Sequence, residues 1–110
     1  MTGRLLVDGM NVIGSRPDGW WRDRRGAQRA LVAALGALRE RVTVVFDGAP
    51  HDVDAPDGVE VAFAPHADDE IAARARPGVC VVTSDRALAE RVRAAGAEVV
   101  GAKAFRERLA

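Results

Sequence analysis

The chain is poor in the features that would place it in a membrane or an oxidising compartment. Its single cysteine, Cys80, leaves no intramolecular disulfide to form. The apolar run around it, Val79–Val82, marks the thiol as a small core residue, because a nucleophilic cysteine would want a nearby base and an electropositive setting. No apolar stretch approaches the roughly 20 residues needed to cross a bilayer. The amino terminus runs into a strand pattern without an apolar leader or cleavage site, so a cytoplasmic location is expected. Three phosphate, dinucleotide and acyl-transfer signatures are missing: GxxxxGK(S/T), GxGxxG and GxSxG. Neither sign of charge is in excess, since sixteen basic residues face sixteen acidic ones. That excludes a coat of positive charge for non-specific nucleic-acid binding but leaves room for a local basic patch. With 110 residues there is length for one domain, 1–110, and one core.

What is present is an alternation of short β-branched runs with helical patterns. Strands are expected at about Arg4–Asp8, Val42–Phe46, Val59–Phe63, Val79–Thr83 and Ala97–Val100. Glu60 interrupts the third and suggests an edge; the fully apolar fourth should be central. Helical spacing runs from about Asp23 to Leu38, from Asp68 until Pro77–Gly78 stops it, over Arg86–Ala95 with Gly96 closing it, and over Ala102–Leu109. The segment Gly9–Gly14 reads as a turn and Gly48–Asp57 as loop. Strand and helix alternating throughout give an α/β fold with a mostly parallel sheet of about five strands and helices on both faces.

Four aspartates then stand out. Asp8 and Asp47 each close an apolar run, in LLVDG and VTVVFDG. Asp68 and Asp85 each open a helical pattern, in ADDEIA and TSDRALAERV. In an open parallel sheet the carboxyl ends of strands and the starts of the following helices share one edge, where such folds place their sites. Carboxylates gathered there repel one another unless protons or a cation offset the charge, and a hard divalent metal suits oxygen ligands. Asn11, three residues after Asp8, is placed to hold or orient its carboxylate. Asp68 shares an inward helical face with Ile71 and Ala72, whereas Asp69 and Glu70 turn progressively away, Asp69 toward a supporting position. Ser84 and Asp85 also suit helix N-caps. His51 and His66 lack a metal-type spacing partner and read as solvated loop residues.

Trp20–Arg29 carries Trp20, Trp21, Arg22, Arg24, Arg25 and Arg29, with Arg16 just before it. Arginines neutralise phosphates and exposed indoles stack on unpaired bases, so this segment is a candidate for holding a single strand, with one ring buried and one available.

The motifs VDGMNVIG (Val7–Gly14), VVFDG (Val44–Gly48), ADDEIA (Ala67–Ala72) and VVTSD (Val81–Asp85), in this order over nearly the whole chain, resemble those of the NYN family of PIN-like ribonucleases, in its YacP-like branch. The resemblance implies a three-layer α/β/α PIN-like fold and metal-dependent endonucleolytic cleavage of RNA. It implies an acidic site at Asp8, Asp47, Asp68 and Asp85, with Asn11 and Ser84 beside it. Asp8, Asp68 and Asp85 would hold Mg²⁺ or Mn²⁺, with Asp47 as a ligand or water-orienting group. YacP-like chains are usually longer, notably before ADDEIA. The alternative from another class is a catalytically weak or inactive RNA- or ribosome-binding module. A phosphatase is disfavoured because Asp8-Gly9-Met10 lacks the second aspartate of a DxD nucleophile.

Overall fold

Leu5, Leu6 and Val7 alternate between the two faces of a strand, and all three are buried. Both faces of the sheet they belong to are therefore covered, as parallel sheets require. The computed structural model describes residues 4–109, and among them five strands form one parallel sheet. Strand β1 (Arg4–Asp8) is central; β2 (Arg41–Asp47) and β3 (Val59–Ala64) lie on one side of it, β4 (Val79–Val82) and β5 (Glu98–Val100) on the other, in the order β3-β2-β1-β4-β5. Helices α1 (Gly9–Gly14), α2 (Arg24–Leu35), α3 (Ala67–Arg74), α4 (Arg86–Ala94) and α5 (Ala102–Leu109) complete three α/β/α layers. As expected, β3 with its Glu60 is an edge strand and β4 is internal.

The two faces build two cores. Leu5, Val7, Val42, Val44, Phe46 and Val82 pack with Val12 of α1, Leu31, Val32 and Leu35 of α2, and Phe105 of α5. Leu6, Val45, Val79 and Val81 pack with Ala67 and Ile71 of α3 and Leu88 and Val92 of α4. Continuing the alternation by two residues from Leu6, Val45 and Val81 puts Asp8, Asp47 and Thr83 on the α3/α4 face at the carboxyl edge. Strand order reverses between β1 and β4, so these residues stand at the topological switch point.

The region after β1 differs from the expected turn: Gly9–Gly14 is a helix. Its glycines lower helix propensity, yet Gly9 answers a packing demand. A Cβ there would lie 2.4 Å from two ring carbons of Phe46, which is fully buried. The helix therefore starts directly on the Phe46 ring. The long helix begins at Arg24 rather than Asp23 and ends at Leu35, three residues early, with a separate 3-10 turn over Trp20–Arg22. Asp23 caps it instead, accepting from the Gly26 N–H at 3.0 Å. Gly96, at φ +92°, closes α4. No helix among the described residues is long and apolar enough to cross a membrane.

Candidate active site

Asp8, Asp47, Asp68 and Asp85 line one open cleft of about 320 Å³ together with Met10 and Asn11. The four acids come from the ends of β1 and β2 and from the starts of α3 and α4, so the sheet edge does bring together four residues scattered along the sequence.

Each carboxylate has one oxygen engaged in a hydrogen bond. Asp8, only 8 % exposed, accepts through Oδ2 from the Thr83 hydroxyl at 2.9 Å. Asp47 Oδ1 accepts from the Ala67 N–H at 2.8 Å, which ties the end of β2 to the first turn of α3. Asp85 caps α4, its Oδ1 accepting from the Leu88 N–H at 3.2 Å. Asp68 accepts through Oδ1 from the Asp69 N–H at 3.0 Å and leaves Oδ2 4.0 Å from the Arg91 guanidinium. Its side chain is 53 % exposed, so it stands at the open rim rather than under the helix. The cap position of α3 belongs to His66, one residue before the helix begins, and Asp68 sits inside the first turn. Asp69 points outward and pairs with Arg91 at 3.0 Å.

Burial dominates the electrostatics. The Asp8 carboxyl is raised from 3.8 to about 6, first by desolvation, against the lowering effect of the Thr83 hydroxyl, with the negative charges of Asp47 and Asp85 adding to the rise. The donor set is all oxygen, which suits a hard divalent cation. Among the described residues, however, no three His, Cys, Asp or Glu side chains stand so that they could hold an ion between them as placed.

Asn11 bonds to the other side of the cleft: its Oδ1 accepts from the Ser84 N–H at 2.7 Å, leaving the amide NH₂ as its remaining polar group. Ser84 turns its Oγ toward α5, accepting from the Ala102 N–H at 2.9 Å. Thr83, not singled out in the sequence, joins two of the acids. Its hydroxyl donates to Asp8 and accepts from the Asp85 N–H at 3.1 Å. In VVTSD it reads as one more strand residue. Met10, also missed, is held by Gln28 of α2, whose Nε2 lies 3.3 Å from the thioether sulfur. His51 is the other end of that chain, its Nε2 2.6 Å from Gln28 Oε1 and its ring packed at a tilt against Phe63. The expected solvated histidine is thus a half-buried packing residue, while His66 is exposed.

The tryptophan–arginine segment lies elsewhere. None of Trp20, Trp21, Arg22, Arg24 and Arg25 lines the acidic cleft. Trp20 lines a separate apolar groove of about 340 Å³ with Val12, Leu31 and Leu109, Trp21 is 59 % exposed, and the three arginines are exposed. Cys80 packs against the core, and burial raises its thiol further above the ordinary value.

The family sequence model for the YacP-like NYN domain matches residues 5–110. The chain belongs to the YacP-like NYN domain family. No curated protein matches it. Among solved structures it is similar to Rae1 (YacP) from Bacillus subtilis, at 26 % identity and a TM-score of 0.77, over 96 % of this chain and 72 % of that one. The W164L mutant of the same protein gives a TM-score of 0.74 at 26 % identity, over 96 % and 73 %. Nearly all of this chain thus shares the YacP-like fold, over about three quarters of the length of that protein. An NYN domain of this type is a nuclease-like domain that binds or cleaves RNA.

Proposed function

We propose that this YacP-like NYN domain is a metal-dependent endoribonuclease that hydrolyses phosphodiester bonds of single-stranded or loop RNA at the acidic cleft. The observation that carries this is the meeting of Asp8, Asp47, Asp68 and Asp85, from four separate segments, around one open cleft. Asp8, Asp68 and Asp85 would hold Mg²⁺ or Mn²⁺ once their side chains, which do not surround an ion as placed, turn toward it, with Asp47 as a further ligand or a group that orients water. The ion, when bound, supplies a water of lowered pKa and stabilises charge developing at phosphorus.

The protein's own residues set the geometry. Thr83 orients Asp8, and the backbone N–H groups of Ala67 and Leu88 orient Asp47 and Asp85, so that each of these carboxylates presents its second oxygen in a fixed direction. Asn11, with its oxygen committed to Ser84, directs its NH₂ donors to a non-bridging phosphate oxygen. The Ser84 hydroxyl, accepting from Ala102, keeps its own proton to donate. The exposed Trp21 ring and the arginines Arg22, Arg24 and Arg25, with Trp20 beside them, form an outlying surface for a longer strand.

The test is cleavage of a labelled mixed-sequence RNA in Mn²⁺, Mg²⁺ or EDTA, with Asp68→Asn beside the wild type. Cutting that needs metal and disappears in the variant is expected. RNA retained in a gel shift without cutting would replace the enzyme with a binding module, and cutting that survives in Asp68→Asn would refute the site.

A further inference from the structure

The phosphate next to a cleaved one must rest on protein beside the acidic cleft, and the cleft itself offers a polyanion four carboxylates, Met10 and Asn11. A second cleft, of about 410 Å³, adjoins it, with Asp85 lining both. Thr83 and Ser84 at the end of β4 form one wall, Val99 and Gly101 around the end of β5 another, and α4 the third. On α4, Arg86, Glu90 and Arg93 face this cleft, four and three residues apart on one side of the helix. All three are exposed, and among the described residues none takes part in an ion pair, although Glu90 has the spacing to pair with either arginine. Arg91, on the flank toward α3, is by contrast tied to Asp69 at 3.0 Å.

Resting on the nuclease reading above, we propose that this second cleft holds the phosphate neighbouring the scissile one on a single-stranded RNA, with Arg86 and Arg93 as its cationic contacts. A guanidinium is permanently charged and grips phosphate through a planar fork. From β1, where Asp8 sits, to β5 is two interstrand spacings, about 10 Å, so a strand lying over the acids passes Asp85 and Ser84 and reaches the arginines directly. Glu90 stands between the two and opposes the same contact. That gives the surface a test of both signs.

The experiment is fluorescence anisotropy of a short single-stranded RNA, in Mg²⁺ over a series of KCl concentrations, on an Asp8→Asn parent that leaves the strand uncut; cleavage by wild type is measured in parallel. Adding Arg86→Gln and Arg93→Gln together should weaken binding about tenfold, and lower the slope of log K against log salt by about 0.7 for each arginine. Adding Glu90→Gln alone should tighten binding. Arg41→Gln, exposed at the opposite edge of the sheet, should change neither quantity. If wild type cuts and the parent binds RNA, but the arginine pair and Glu90→Gln leave affinity and slope unchanged, this inference is overturned and the nuclease reading stands. If wild type does not cut and the parent does not bind, the nuclease reading fails and takes this inference with it. Equal weakening toward a polyglutamate peptide would overturn RNA as the occupant.

Discussion

Replacing Asp8 with asparagine should stabilise the metal-free protein and abolish cleavage at once. The carboxyl is buried, and desolvation raises it from 3.8 to about 6. In the unfolded chain it ionises near 3.8, so the folded state binds the proton more tightly. At about 1.36 kcal/mol per pH unit, keeping the folded carboxylate charged costs about 3 kcal/mol. The sign follows directly. That cost is fully present above pH 6, shrinks as pH falls between 6 and about 4, and is absent below the unfolded value. Asparagine resembles the protonated acid in shape, can still accept from Thr83, and removes the repulsion from Asp47 and Asp85. In EDTA, Asp8→Asn should therefore exceed wild type by up to about 3 kcal/mol at pH 8, equivalent to a shift of the urea midpoint by about 1–3 M. The gap should close by pH 4, and Mg²⁺ at pH 8 should narrow it, because a cation offsets the charge in wild type alone. Urea unfolding at pH 4, 6 and 8 reads all of this. A gain of the same size at pH 4 and pH 8, or a loss at pH 8, would refute the argument from burial.

Thr83→Val removes the hydroxyl shared by Asp8 and Asp85. It should cost about 1–3 kcal/mol in urea unfolding. It should also move the Asp8 titration, followed by NMR, above its present value near 6, since the Thr83 bond lowers it. Asp47→Asn retains an acceptor for the Ala67 N–H and Asp47→Ala does not. Both should lose RNA cleavage, but only the alanine variant should also lose stability, by about 0.5–2 kcal/mol in the same unfolding assay, as for a deleted helix cap. Gly9→Ala forces a methyl against Phe46 and should destabilise by about 1–3 kcal/mol in thermal unfolding.

Much of the fold could be read from local pattern because the inner strands of a parallel sheet are covered on both sides and so read as short continuous apolar runs. Val42–Phe46 and Val79–Val82 needed no long-range information. Gly9–Gly14 did: the helix depends on Phe46, thirty-seven residues from Gly9, and two glycines hid it from any propensity argument. The four aspartates were visible as strand ends and helix starts. What joins them was not, because Thr83 reaches Asp8 only through the pairing of β1 with β4, where Val7 faces Val82. His51 looked like an ordinary loop residue for a similar reason, since Gln28 and Phe63, which enclose it, lie on two other elements.

The bond between Thr83 and Asp8 spans 75 positions of sequence. Strand β1 is made first and stays without one of its neighbours until β4 and the start of α4 have been added. A chain emerging in order from its amino terminus can bury β1 against β2, but the acidic cleft lacks Asp85, and Asp8 lacks its bond from Thr83, until residue 85 is free to fold. Pairing across so long a separation in sequence makes the final assembly slow relative to helix formation. The complete set of four acids and the finished sheet thus come into being together, so a partly made copy lacks the full cleft proposed to act on RNA.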